Sequence, residues 1–240
     1  MPYIKATTKA GKTITVKKYY SSRYGMQNIP RGANVLPTTE AQQRINDRIA
    51  ADKLTNILNE NFKGGDFHAV LTYRPTERPT DEETARQTLK GFMRQLRREY
   101  RRNGKNLFYV HVTEGKHKAI HHHVVLTGIN PDIITRLWKH GRVRFSLLDN
   151  SGQYRKLAEY LIKETCKTAH DKRDGKIRRR WSASRNIRRP KEKKEIVKAD
   201  KWKDEPKPPK GWYIDRETFY SVMHELTGFA FQQYTLVKLE

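Results

Sequence analysis

Cysteine, acid and long apolar runs are all scarce in this chain. Its 240 residues include one cysteine, Cys166. A lone thiol excludes an internal disulfide framework and any four-cysteine zinc site. No apolar stretch approaches the roughly 18 residues that span a bilayer. The opening Met1-Pro2-Tyr3-Ile4-Lys5 lacks the apolar core of a signal peptide, so a secretory precursor is not expected. Asp and Glu number 26 against 50 Lys and Arg, a formal net charge of +24. Apolar residues make up 35% of the chain, enough to bury a core but leaving much of the sequence wet. The expectation is a soluble protein of a reducing compartment with a polyanionic partner and no membrane role.

Charge is concentrated. Residues 167–203 carry 16 Lys/Arg against 5 Asp/Glu. A stretch this polar reads as a basic linker that does not fold alone. It also contains Trp181 and Trp202. Aromatics among cations suit single-stranded nucleic acid, whose bases stack while its phosphates pair. Arg178, Arg179, Arg180, Trp181, Arg185, Arg188 and Arg189 are the expected nucleic-acid contacts here. No basic helix with a strong apolar face is present to suit a membrane surface.

Periodicity then organises the chain. Ile14-Thr15-Val16 after the Ala10-Gly11-Lys12 turn marks a small β element. A helix is predicted over about 38–60, with Ile45, Ile49, Leu54, Ile57 and Leu58 near helical spacing. Phe67–Tyr73 reads as a strand ended by Pro75. Thr80 and Glu83 form a capping box for the next helix. That helix places Ala85, Leu89, Phe92, Met93, Leu96 and Tyr100 on one face, and Arg86, Arg94, Arg97, Arg98 and Arg101 on the other. Strands follow at Leu107–Glu114 and Ala119–Thr127, joined by a turn at 115–118. A short helix runs from Pro131 to Trp138, then a strand from Val143 to Leu148 and a helix at about 153–168.

A short turn makes the strand pair antiparallel, and the long helix before it suits a right-handed crossover. The predicted fold class is therefore α+β: a ferredoxin-like central antiparallel sheet with helices on one face, plus N- and C-terminal extensions. Pro206, Pro208, Pro209 and Gly211 read as a linker. Trp212-Tyr213-Ile214, a helix near 215–226 and an apolar tail from Phe229 to Leu239 are predicted after it. The expected divisions are 1–62, 63–168, 169–210 and 211–240.

His121-His122-His123 lies within a predicted strand. Alternation puts His121 and His123 on one face and His122 on the other. Two imidazoles so placed can reach one divalent ion. Glu114, at the end of the preceding strand, would be brought beside them by the hairpin. His117 is a rival third ligand. A His/His/carboxylate set with open positions suits Mg²⁺ or Mn²⁺ at a phosphate oxygen, although zinc would bind as well by intrinsic affinity. His111 alternates away from Glu114, and His68 and His140 read as structural.

The last central helix has its apolar stripe at Tyr154, Leu157, Ala158, Leu161 and Ile162. At about 100° per residue, Tyr160 falls well off that stripe, and Lys163 sits one turn away on the polar side. A phenol is a weak nucleophile at neutral pH, and adjacent ammonium groups or a metal favour its anion. Tyr-x-x-Lys alone occurs by chance; beside the histidines it becomes a candidate nucleophile with a cationic helper.

Together, Val70-Leu71-Thr72-Tyr73, the pair Val110–Glu114 with His121–Leu126, and Tyr160-x-x-Lys163 resemble the HUH endonuclease superfamily. The closest likeness is to the rolling-circle replication initiators (Rep proteins) of phages and plasmids. The resemblance covers about 65–168. It implies a divalent metal held by Glu114, His121 and His123, and a single catalytic tyrosine, Tyr160, assisted by Lys163. Thr72 and Tyr73 fall in a motif whose implied role is substrate contact and structural support. The implied reaction nicks single-stranded DNA or an extruded origin hairpin by transesterification. It leaves a 5′-phosphotyrosyl enzyme and a free 3′-OH, and it later rejoins strands. The sequence has no G-x-x-x-x-G-K-[ST] loop, so a host helicase would unwind and a host polymerase extend. With one tyrosine, a second protomer is one route to a second transfer. His122 departs from the bulky apolar residue usual between the two ligands. Rival readings are a conjugative relaxase using Tyr19 or Tyr20, a single-tyrosine transposase, and a non-catalytic nucleic-acid-binding module.

Overall fold

The computed structural model describes residues 3–21, 24–25, 39–115, 119–169, 180–198, 202–224 and 227–239. In chain order the elements are β1 (Tyr3–Ala10), β2 (Thr13–Tyr20), α1 (Glu40–Asn61), β3 (Phe67–Thr72), α2 (Glu82–Arg102), β4 (Tyr109–Glu114) and β5 (His121–Leu126). They continue with α3 (Pro131–Leu137), β6 (Val143–Leu147), α4 (Arg155–Ala169), β7 (Ser182–Ala183), β8 (Glu192–Val197), β9 (Trp212–Met223) and β10 (Ala230–Lys238). The chain divides into two compact units, 1–60 with 189–240, and 61–188. Each is α+β, and each contains a five-stranded antiparallel sheet.

In the first unit the strand order is β8-β1-β2-β10-β9. Polar pairs help to tie α1 to this sheet. Lys17 Nζ lies 2.8 Å from Asp52, Gln233 Nε2 donates to Asp52 at 3.0 Å, and Asn59 Nδ2 donates to Thr13 Oγ1 at 3.0 Å. Gly11 turns β1 into β2 at φ 53° and abuts the Asn59 carbonyl, where a Cβ would collide. Thr13 through Tyr19 of β2 pair with Val237 through Phe231 of β10. Residues from both ends of the chain thus share one sheet, where the sequence reading separates 1–62 from 211–240.

The helix predicted near 215–226 is a correction: these residues belong to β9 as far as Met223. Tyr213, Ile214, Thr218, Phe219, Tyr220 and Val222 are strand formers, and pairing with β10 outweighs any local helical periodicity. The register shifts between Gln233 and Thr235. At that irregularity the Thr218 hydroxyl accepts from Thr235 N at 2.8 Å and donates to Asp215 O at 2.7 Å, replacing the interrupted ladder. The basic stretch also contributes strands: β7 pairs with β4, and β8 pairs with β1.

In the second unit the order is β6-β3-β5-β4-β7. Its four central strands follow the ferredoxin-like arrangement, with β5 between β3 and β4 and α2 making the crossover. α2 begins at Asp81, whose carboxylate accepts from Thr84 N at 2.8 Å; this cap replaces the predicted Thr80–Glu83 box. Glu83 instead pairs with Arg86. α2 and α3 cover one face. Phe67, Ala69, Leu71, Val124 and Leu126 there meet Leu89, Phe92, Leu96, Ile134 and Trp138 in a continuous core. Burying each such large side chain contributes about 1.5–3 kcal/mol.

The helices are not all on one face, a correction to that detail of the predicted plan. α4 packs on the opposite side, against β4, with Tyr154, Ala158, Leu161 and Ile162 buried. Val110, Val112 and Val125 make that second face apolar too, so a single helical layer would leave it wet.

Candidate functional site

The α4 face of the sheet carries the site, and strand register assembles it. Glu114 is directly opposite His121 in the β4–β5 ladder, and Val112 is opposite His123. On the other flank, Thr72 of β3 faces His121 and Val70 faces His123. The hairpin closes through Gly115 at φ 94°, where a Cβ would run into the Ala119 carbonyl.

Glu114 Oε2 lies 3.1 Å from His121 Nε2 and 3.2 Å from His123 Nε2. One ligand atom from each of the three residues falls within 4.8 Å of the others. Two imidazoles and a carboxylate so converged fit a divalent cation, and among the described residues this is the group with metal-ligand geometry. The remote ring nitrogens are engaged as such a site requires. His121 Nδ1 donates to Ala119 O at 2.9 Å. His123 Nδ1 lies 3.0 Å from His68 Nε2. Burial holds the His68 pKa down to about 4, so at neutral pH its ring is uncharged and able to accept. With His68 as the acceptor, His123 would carry its proton on Nδ1 and present Nε2 as the ligating nitrogen beside Glu114.

His68 is the residue the sequence reading missed. The sequence alone reads it as structural, yet it occupies the same sheet face as His121 and His123 and stacks against His123. The alternation rule that paired His121 with His123 finds it when applied to β3: His68, Val70 and Thr72 share one side.

His122, the departure from the usual motif, is fully buried on the α2 face. Both its ring nitrogens are used, with Nε2 2.8 Å from the Tyr73 hydroxyl and Nδ1 2.8 Å from the Thr113 hydroxyl. Burial pushes its pKa down to about 3, so it is a neutral core histidine. Tyr73 is likewise buried, with its phenol pushed up to about 12 mainly by burial. Tyr73 is thus placed to support the site strand, its ring packed against His122 and Trp138 with little of it open to solvent. Thr72 is half-buried on the site face, its hydroxyl donating to Arg142 O at 3.1 Å.

Tyr160 projects from α4 over the histidines. Its ring centroid lies 5.4 Å from that of His123 and 6.3 Å from that of His68, edge-on to both. It is 44% exposed, as its position off the apolar stripe predicts. Lys163, one turn on, is exposed. Tyr19 and Tyr20 lie on β2 in the other unit, with the Tyr20 ring against Tyr3 and Phe229.

Of the expected basic contacts, Arg178 and Arg179 lie outside the described residues, as does His117. Arg180 and Trp181 are half-buried ahead of β7, while Arg185, Arg188 and Arg189 are exposed. The backbone carrying Arg185 is stapled to β4: Ser184 N donates to Tyr109 O at 2.9 Å, and Asn186 Nδ2 donates to Leu107 O at 3.2 Å. His140 packs on Trp138 and meets Glu77 at 3.3 Å, a structural role.

Residues 67–168 match the family model of replication-associated protein ORF2/G2P. The matched stretch runs from β3 into α4, and so includes every residue of the cluster just described. The match fits the rolling-circle replication initiator (Rep) family that the motifs resemble. No curated protein and no solved structure gives a match. No helix among the described residues is long and apolar enough to cross a membrane.

Proposed function

We propose that this protein initiates rolling-circle replication by nicking and rejoining single-stranded DNA through Tyr160. The observation that carries the reading is the position of the Tyr160 ring, 5.4 Å from His123, beside the converged Glu114, His121 and His123. Those three residues would hold a divalent ion, Mg²⁺ or Mn²⁺, which when bound supplies Lewis-acid polarisation of a phosphate oxygen. The chain does the rest. Tyr160 Oη forms a bond to the scissile phosphorus as the P–O3′ bond breaks. The phenolic proton is lost and the departing 3′-oxygen ends protonated. Lys163 offsets charge on the phosphate and favours the phenolate. His68 keeps His123 in its ligating tautomer. The product is a 5′-phosphotyrosyl chain and a free 3′-OH, and the reverse attack by a 3′-OH restores the strand. One phosphodiester is exchanged for another, so no external energy is required. Residues 180–189 add cations for the flanking strand.

The test is a labelled origin oligonucleotide incubated with Mn²⁺ and resolved on a denaturing gel. Wild type should form a covalent band whose digestion and mass spectrometry place the nucleotide on Tyr160, and Tyr160→Phe should form none. A band that survives Tyr160→Phe but disappears on loss of Tyr19 or Tyr20 favours the relaxase arrangement. No adduct under any divalent metal leaves a binding module.

A further inference from the structure

The face of the second unit's sheet remote from Glu114, His121 and His123 holds a groove of about 1070 Å³ between α2, β4 and the β7 edge. Seven Lys/Arg and no Asp/Glu occur among its described lining residues. Lys90, Arg94, Arg97 and Arg101 form a row along α2 at helical spacing, and Lys105 and Arg185 extend it. The row from Lys90 to Arg101 covers about 16 Å of helix axis. That length suits several successive phosphates better than one isolated anion. The side chains of Lys90, Arg94, Arg97, Arg101 and Arg185 are exposed, and none of them pairs with a carboxylate among the described residues.

This wall is destabilised by its own design. Lys90 repels Arg94, Arg94 repels Arg97, and Arg97 repels Arg101, all at i,i+3 or i,i+4. Gly91 stands among them in mid-helix, where glycine weakens a helix, and a Cβ there would meet open space. Two half-buried rings also line the groove, Tyr109 and His111, stacked on each other at 6.0 Å with 29° between their planes. His111 Nδ1 is buried without a hydrogen-bond partner. Cations beside ring faces match unpaired bases on a phosphate chain, whereas a duplex presents no free base face.

We infer that the α2 groove is a second single-stranded DNA site, separate from the Tyr160 centre and on the opposite face of the same sheet. The choice of DNA as occupant rests on the function proposed above; the site itself stands on the groove. A strand held here is retained while the Tyr160 face exchanges ends, so binding and chemistry can be altered independently.

The test uses the full chain, without divalent metal, and an oligo-dT of about 30 nucleotides carrying photoreactive thymidines. Crosslinked peptides should include Tyr109 and His111. Reversal of Lys90, Arg94 and Arg97 to Glu should weaken binding by about tenfold or more and flatten the salt dependence by about 2 in log–log slope. Gly91→Leu, which fills the groove without changing charge, should also weaken binding. A matched reversal of exposed Lys53, Lys207 and Lys210 should do much less. With Mn²⁺, a short oligonucleotide spanning only the scissile site should give the Tyr160 adduct at nearly the wild-type rate in the groove variants. Crosslinks confined to other surfaces, or equal losses from the two triple reversals, would overturn the proposal. Absence of the adduct in wild type would instead sink the nicking function and leave the groove readout intact.

Discussion

His68 Nε2 lies 3.0 Å from His123 Nδ1, one strand reaching across to a candidate metal ligand on the next. The contact stands behind the His123 ring, whose Nε2 lies toward Glu114, and so ties the candidate site on β5 to the sequence of β3. Replacing His68 with Leu keeps the bulk and removes the acceptor. Mn²⁺ affinity measured by calorimetry should fall by about 10–100-fold, with the fold retained. His68→Gln, which can still accept, should recover part of it. Unchanged affinity in His68→Leu would refute the positioning role.

Removing a ligand should be harsher. Glu114→Gln discards the one negative charge opposite both imidazoles. Mn²⁺ binding at Glu114, His121 and His123 should be lost, while binding of oligo-dT without metal stays within about twofold, because phosphate contacts elsewhere carry that affinity. A Glu114→Gln protein that still binds Mn²⁺ with wild-type affinity would show that the cluster is not the metal site.

Lys163→Met retains the helix and deletes the ammonium next to Tyr160. The rate of adduct formation should drop by about 10²-fold at saturating DNA, as for loss of one charge-stabilising donor. A rate that stays at the wild-type value would make Lys163 a surface residue only.

The His122 network predicts non-additive stability. His122→Leu takes one of the buried Tyr73 hydroxyl's two partners, leaving Thr88, and removes the partner of Thr113, costing about 1–3 kcal/mol. Adding Tyr73→Phe removes the under-satisfied hydroxyl, so the double variant should be more stable than the sum of the two single losses. Urea midpoints of the three proteins measure the coupling, and simple additivity would contradict it.

Acid should unfold the second unit early. Burial lowers the pKa of His68 and His111 to about 4, and that of His122 to about 3. The unfolded chain, with histidines near 6.5, binds protons first as pH falls. Stability is therefore fully present above about pH 6.5 and declines progressively toward pH 4. The urea midpoint should drop between pH 7.5 and 5, and His111→Phe should make that drop smaller. A flat profile would mean that these rings are not held neutral.

Much of the site was legible because alternation along a strand needs no tertiary knowledge. It places His121 with His123, and a tight hairpin brings Glu114 alongside. Helical spacing likewise sets Tyr160 off the stripe of Tyr154, Leu161 and Ile162, and the structure leaves it exposed. The family match over residues 67–168 covers this same region.

Local pattern could not decide what depends on partners distant in the chain. Residues near 215–226 read as a helix, yet as far as Met223 they belong to β9 and its pairing with β10, because strand stability comes from cross-strand neighbours. His122 looks anomalous until Tyr73 and Thr113 supply both of its hydrogen bonds. His68 looks structural until register sets it against His123. The α2 arginines look like an ordinary solvated face until β4 and β7 close a groove around them. In each case the chain encodes the residue, but the free energy that gives it a role arises from a group brought near only by folding.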